Sequence, residues 1–160
     1  MGKLYALTFA KAGYQVCGTD MPHRLQELQE ELLPQNIAIL ADGHEVSRKS
    51  DFIIYAVEAE KIDEVVSRFA KSTKYGAIVA GQTSVKHPEI AAFEKYLPTD
   101  AHIVTSHSLH GPGFSTQGQT LVVIRHKATD EVYQKALSVY EALGANIIEM
   151  DSYQQHDQIV

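Results

Sequence analysis

At 160 residues, 44% of them apolar, the chain is long enough for one domain whose core buries about 70% of the surface that the unfolded form exposes. A net charge of -6, a pI near 5.7 and no basic run longer than two residues exclude a phosphate-backbone footprint, so no nucleic-acid partner is expected. One cysteine, Cys17, excludes a disulfide framework and a cysteine-metal cluster, and no apolar run nears the ~20 residues that cross a bilayer, so the expected address is cytoplasmic with no membrane partner.

Helix-period and strand-type segments alternate along the chain, the pattern of an α/β protein with a parallel sheet. A first helix is predicted from about Gly2 to Ala12, closed by Gly13. Tyr14 to Gly18 reads as a strand ending near Asp20. Leu25, Leu28 and Leu32 mark a helix stopped by Pro34, and Ile37 to Leu40 a short strand. Asp42 with Glu45 three residues on forms a capping box for a helix to about Lys49. Phe52 to Val57 is the clearest buried strand. Ile62, Val65, Val66 and Phe69 place a helix, Ala77 to Ala80 a strand, and Ile90, Phe93 and Leu97 a helix closed by Pro98. His102 to Ser106 is a strand that delivers His107. Leu121 to Ile124 is a further strand, Val132 to Leu143 a long helix, and Asn146 to Met150 the last strand. Ser152 to Val160 reads as the start of another helix.

Two stretches follow strand-type runs and carry chemistry: Gly81-Gln82-Thr83-Ser84-Val85-Lys86 and Thr105-Ser106-His107-Ser108-Leu109-His110-Gly111-Pro112. In open parallel sheets, ligands lie beyond the carboxyl ends of the strands, so Ser84 and His107 are predicted to face one bound small molecule. A hydroxyl and an imidazole together point to proton handling. The chain opens on a helix where a nucleotide-binding fold opens on a strand and a G-x-G-x-x-G turn. If Gly2 is the last glycine of such a turn, an acidic residue belongs roughly 20 residues after the turn, at the tip of the second strand, where it takes the adenosine ribose. Asp20 stands there.

The chain resembles the nucleotide-binding domain of the prephenate dehydrogenase family in its fungal form. The resemblance rests on Met1 to Ala6, Val46 to Tyr55, Gly81 to Lys86, Phe93 to Pro98 and Ser106 to Pro112, and spans essentially the whole chain. It implies a Rossmann-like, doubly wound, mostly parallel sheet over residues 1–151, lacking the family's first strand and first two turn glycines. Residues 152–160 would then begin the first helix of a helical dimerisation domain. The activity implied is oxidation of prephenate to 4-hydroxyphenylpyruvate and carbon dioxide with NADP, NAD being the alternative. His107 would draw off the proton of the substrate's ring hydroxyl, with Ser84 supporting that hydroxyl. The cofactor would lie against Gly2, Asp20, Arg24, Val57 and Thr83. His23 and Arg24 could offset the acidic Asp20 beside the extra phosphate of NADP. A homodimer is implied only for the full-length protein, and the chain alone is expected neither to bind NADP tightly nor to turn over prephenate.

Other readings stand beside this one. The chain could be a non-catalytic nucleotide-binding or interaction remnant, or derive from an arogenate dehydrogenase. His107 could be a strand-end histidine satisfied by backbone, Ser84 a helix cap, Asp20 the cap of the next helix, and Lys86 a solvated loop residue. His156 could orient the second domain. His102, His107 and His110 are not expected to converge on a metal, because His102 lies at the far end of its strand.

Overall fold

The computed structural model describes all 160 residues. Helix α1 (Gly2–Lys11) is defined by Tyr5 and Phe9, four residues apart and both buried, and Gly13 at φ +98° turns the chain away after it. It leads into β1 (Val16–Gly18), then α2 (Leu25–Leu32) and β2 (Ile37–Ile39). Next come α3 (Gly43–Lys49), β3 (Phe52–Tyr55), α4 (Ala59–Phe69), β4 (Ile78–Gly81) and α5 (Lys86–Tyr96). The chain ends with β5 (His102–Ser108), β6 (Thr120–Lys127), α6 (Asp130–Glu141), β7 (Asn146–Met150) and α7 (Tyr153–Ile159).

Strands β1 and β2 pair in parallel as one sheet, while the second sheet runs β3-β4-β5-β6-β7. Within it β3, β4 and β5 are parallel, β5 and β6 antiparallel, and β6 and β7 parallel again. The sheet is thus broken between β1 and β3, where the family's order would place one more strand. Helix α1 spans that break. Its Tyr5 and Phe9 enter the large core with Ile78, Ala80, Val104 and Tyr140, while Ala6, Leu7 and Ala10 lie against Leu28, Leu32 and Ile37 beside the small sheet.

The two faces of the large sheet are covered separately, as strand alternation requires. Ile53, Tyr55, Val79 and Ile103 face Ile62 and Val66 of α4 and Ile90 and Phe93 of α5. Their neighbours Ile78, Ala80 and Val104, with Leu121 and Val123, face α1 and Ala136 and Tyr140 of α6. Burying a side chain such as Phe93 contributes about 1.5–3 kcal/mol relative to leaving it exposed. Tyr140 completes its burial by donating its hydroxyl to Val104 O at 2.8 Å.

Two local expectations need correction. The strand before His107 does not stop at Ser106: β5 pairs with β4 only at His102 and Ile103, then continues against antiparallel β6 through Ser108. His107 therefore sits inside a strand, opposite Val122, which fixes its backbone more firmly than a loop would. The capping box at α3 is half made. Asp42 accepts the His44 N–H at 2.9 Å, but Glu45 pairs with Lys49 at 3.0 Å instead of reaching back. No helix is long and apolar enough to cross a membrane.

Candidate active site

Side chains alternate along β5, so Thr105 and His107 project from the same face. Below them lies the first turn of α5, where Lys86 and Glu89 are both 0% exposed. Glu89 is tightly held: its Oε2 accepts the Thr105 hydroxyl at 2.6 Å, and its Oε1 accepts the Thr83 hydroxyl at 2.8 Å and the Thr83 N–H at 3.3 Å. Lys86 Nζ donates to Glu89 Oε1 at 3.2 Å, Gly81 O at 3.3 Å and Thr105 Oγ1 at 3.4 Å. Gly81 is required here, because a Cβ on it would fall 1.9 Å from Glu89 Oε1. Burial lowers the Lys86 pKa, against the opposing pull of Glu89.

A second chain of bonds reaches His107 from α7. The Lys86 and His87 N–H groups, which open α5, donate to Asp157 Oδ1 and Oδ2 at 2.8 and 2.9 Å. Asp157 Oδ1 lies 2.8 Å from His156 Nδ1, and His156 Nε2 lies 2.9 Å from His107 Nδ1. Burial pushes the Asp157 carboxyl up, but its bonds to the Lys86 N–H, to His156 and to the His87 N–H outweigh this and hold it below the usual carboxylate range. An ionised Asp157 can only accept, so His156 donates from Nδ1, and in its neutral form its Nε2 is the acceptor. His107 must then donate from Nδ1, which leaves its Nε2 with a free lone pair. That Nε2 makes no bond within the chain and is not among the buried unpartnered atoms, so it opens to solvent. Burial, followed by the positive charge of Lys86 and the His156 ring, lowers the His107 pKa to about 4, with Asp157 pulling the other way. At neutral pH the ring is an uncharged acceptor.

Ser84 lies exposed in the turn between β4 and α5, two residues before Lys86, and makes no hydrogen bond within the chain. It is not the helix cap: Val85 occupies that position without a side-chain bond, and Asp157 does the capping from α7. Tyr5 of α1 shares a hydrogen bond with Ser108, next to His107, and burial raises its pKa. His102 begins β5 and His110 bonds the Gly111 carbonyl at 2.9 Å; no three His, Cys, Asp or Glu side chains group to hold a metal.

The remaining sequence candidates gather at α1 and the tip of β1. A Cβ on Gly2 would lie 2.8 Å from Ala56 Cβ, so glycine lets the start of α1 approach the end of β3, where half-buried Val57 follows. The first turn of α1 has no side-chain cap and no acidic residue, which leaves N–H groups available to an anion. Asp20 accepts the Met21 N–H at 2.7 Å and faces Arg24 Nη1 at 3.4 Å, so it does not cap α2. Thr83 is 2% exposed and its hydroxyl is committed to Glu89.

Sequence reasoning passed over Glu89, Thr105 and Asp157. A signal for the first existed: Lys86 and Glu89 fall on the helix stripe of Ile90, Phe93 and Leu97, which marks them as buried. None existed for Asp157, which meets Lys86 across 71 positions of sequence.

Residues 6–149 match the family described as prephenate dehydrogenase, nucleotide-binding domain. The chain is 45% identical over 160 residues to the Saccharomyces cerevisiae protein named prephenate dehydrogenase (NADP+), covering 99% of this chain and 35% of that one. It is 44% identical over 159 residues to a Schizosaccharomyces pombe protein bearing the same name with the prefix "Probable", covering 99% of this chain and 37% of that one. It thus spans little more than a third of these curated relatives. Among solved structures, prephenate dehydrogenase from Aquifex aeolicus superposes with TM-score 0.81 at 19% identity, covering 99% of this chain and 60% of that one. A pyrroline-5-carboxylate reductase from Coxiella burnetii gives 0.78 at 19%, covering 99% and 58%. At such identities the likeness concerns the Rossmann-like fold alone, whereas the family match rests on sequence along nearly the whole chain. The chain belongs to the prephenate dehydrogenase family, as its nucleotide-binding domain.

Proposed function

We propose that this chain is the nucleotide-binding part of an NADP-dependent dehydrogenase acting on prephenate, with His107 Nε2 as the base and Ser84 as the hydroxyl that supports the substrate. One observation carries the reading: the run Asp157, His156, His107, which leaves a neutral imidazole with its lone pair outward at the carboxyl edge of the sheet. The residues present fit the dinucleotide. The uncapped start of α1 beside Gly2 suits a pyrophosphate, Val57 flanks it, and Asp20 suits a ribose hydroxyl. Arg24 beside Asp20 offsets the charge that would repel the added phosphate of NADP. Thr83 contributes from beneath, by fixing the turn that carries Ser84.

The bound nucleotide would accept hydride from the carbon bearing the ring hydroxyl. His107 Nε2 takes the proton of that hydroxyl, and its Nδ1–H stays on His156, so the ring does not rotate as it becomes charged. Ser84 donates to or accepts from the same hydroxyl and orients it. Loss of the ring carboxylate as carbon dioxide then makes the ring aromatic, which drives the step forward. Residues 1–151 form the nucleotide-binding unit and 152–160 open a helical one, whose His156 and Asp157 already serve the site. A homodimer, on this reading, belongs to the longer protein.

The test replaces the matching segment of the Saccharomyces cerevisiae relative with this chain. The chimera should oxidise prephenate with NADP, and His107→Asn should cut turnover ~100- to 10,000-fold with nucleotide affinity retained. Equal loss of turnover and affinity, or an inactive but folded chimera, overturns the reading.

A further inference from the structure

Lys86 is an odd occupant of its position. A cation in the first turn of a helix opposes the helix dipole, and a buried ion pair is often no more stabilising than apolar residues of the same volume. Stability alone would favour an apolar residue on this stripe between Thr83 and Ile90. Position 86 reaches His107 by two routes, one through the lysine side chain and one through the backbone. Its Nζ bonds Thr105 Oγ1 at 3.4 Å, two residues before His107 on the same face of β5. Its backbone N–H bonds Asp157 Oδ1 at 2.8 Å, the far end of the chain that runs through His156 to His107 Nδ1.

We propose that Lys86, anchored by Glu89, is a positioning residue for His107: its ammonium ties the end of β4 to Thr105 in the strand beneath the imidazole, and so holds that ring in place over a fixed positive charge and keeps it without charge of its own. The proposal rests on His107 being the base of the site. Glu89 serves by holding the ammonium in place, through a carboxylate whose two oxygens are otherwise taken by Thr83 and Thr105. The groups acting on His107 are Lys86 of α5 and His156 and Asp157 of α7; β6, its other neighbour, opposes it with apolar Val122. Burial does most to lower the His107 pKa to about 4, and the Lys86 charge comes next. The arrangement suits a base: a ring already protonated by its surroundings could not take a proton from the substrate.

Nitrogen-15 NMR of the histidine rings in the 160-residue chain tests this without any ligand. The unaltered chain should show His107 protonated at Nδ1 and bare at Nε2, with a titration midpoint about 4. Lys86→Met combined with Glu89→Gln removes the pair without stranding either charge. In that variant the midpoint should rise part of the way toward the ordinary histidine value of 6.5, since burial remains, while the tautomer, held by His156 and Asp157 through a backbone N–H, should stay as it is. A folded double variant that keeps the parental midpoint overturns the proposal. Should the variant fail to fold, the unaltered chain still decides: an ordinary midpoint or an Nε2-protonated ring overturns it. An inactive chimera would defeat the dehydrogenase reading and leave these spectra unchanged, whereas unchanged spectra in the variant would defeat only the role of Lys86.

Discussion

His107 Nδ1 on β5 and His156 Nε2 on α7 meet at 2.9 Å across 49 positions of sequence. Only one proton fits between two ring nitrogens at that distance, and His107 supplies it from Nδ1, so a further proton on this ring goes to its open Nε2 and leaves the contact in place. Burial first, then the Lys86 charge and the His156 ring, make the folded state resist protonation of His107. Above the ordinary value of 6.5, His107 is neutral whether folded or not; between 6.5 and about 4 only the unfolded chain takes up the proton. Stability is expected to fall as pH drops through that window and to lose this slope below it. Asp157, held low by its own bonds, adds a loss in the same direction at more acidic pH. Urea unfolding at a series of pH values measures this, and His107→Asn should flatten the slope between pH 6.5 and 4. An identical slope in the variant would show that His107 is not its source.

Asp157 caps a helix from outside it. Both carboxylate oxygens accept N–H groups that α5 cannot satisfy itself, and no residue of the β4–α5 turn replaces them. Asp157→Ala should cost ~0.5–2 kcal/mol, the range for loss of a helix cap, read as a lower urea midpoint with the slope unchanged. Asp157→Asn keeps one acceptor oxygen and should recover part of that loss. If alanine costs nothing, α7 does not dock on α5 in solution.

The large-scale fold was legible because its signals are periodic and local. Phe52 to Tyr55 and Ile78 to Gly81 are strands in which apolar residues fill both faces, and Ile62 with Val66 marks the buried stripe of α4. The end of β5 was not legible. His107 and Ser108 look like loop, yet β6 holds them in register opposite Val122 and Leu121. Pairing with a distant antiparallel strand leaves no trace in the residues themselves. The site divides the same way. His107 and Ser84 stand out by residue type and place, whereas the groups that set the state of His107 come from a later helix and from a buried turn. The helix stripe marks Lys86 as buried, but the partners it meets there, Gly81 O, Thr105 and Glu89, show only in the fold.

Gly81 ends β4 where the Glu89 carboxylate turns under the sheet. A methyl group there would fall 1.9 Å from Oε1 and 2.4 Å from the carboxyl carbon, and both oxygens are already engaged by threonines. The carboxylate cannot swing away without abandoning Lys86 in a buried site. Gly81→Ala is therefore expected to destabilise by ~1–3 kcal/mol, as overpacking does, and by more if the ion pair separates. Gly111→Ala, at a position where an added Cβ meets nothing within 4 Å, serves as the control and should change little. Equal unfolding midpoints for the two variants would mean that Glu89 is not where it is placed.

Asp20 and Arg24 decide between the two nucleotides, on the proposed reading. An acidic residue at the tip of this strand normally takes the ribose hydroxyls of NAD and repels the phosphate that distinguishes NADP. Here the acid is already occupied by a guanidinium one helical turn on, at 3.4 Å, with both side chains partly exposed. An exposed pair of this kind adds little to stability, so Arg24→Ala should leave the unfolding midpoint nearly unchanged. Its effect should appear in binding instead. Without the guanidinium the carboxylate faces the added phosphate alone, and a charge-assisted contact of about 1.5–3 kcal/mol is lost. Titration of the chimera with each nucleotide should show NADP affinity falling by roughly 10- to 100-fold while NAD affinity holds. Parallel loss for both would place Arg24 away from the added phosphate and return the choice of cofactor to Asp20.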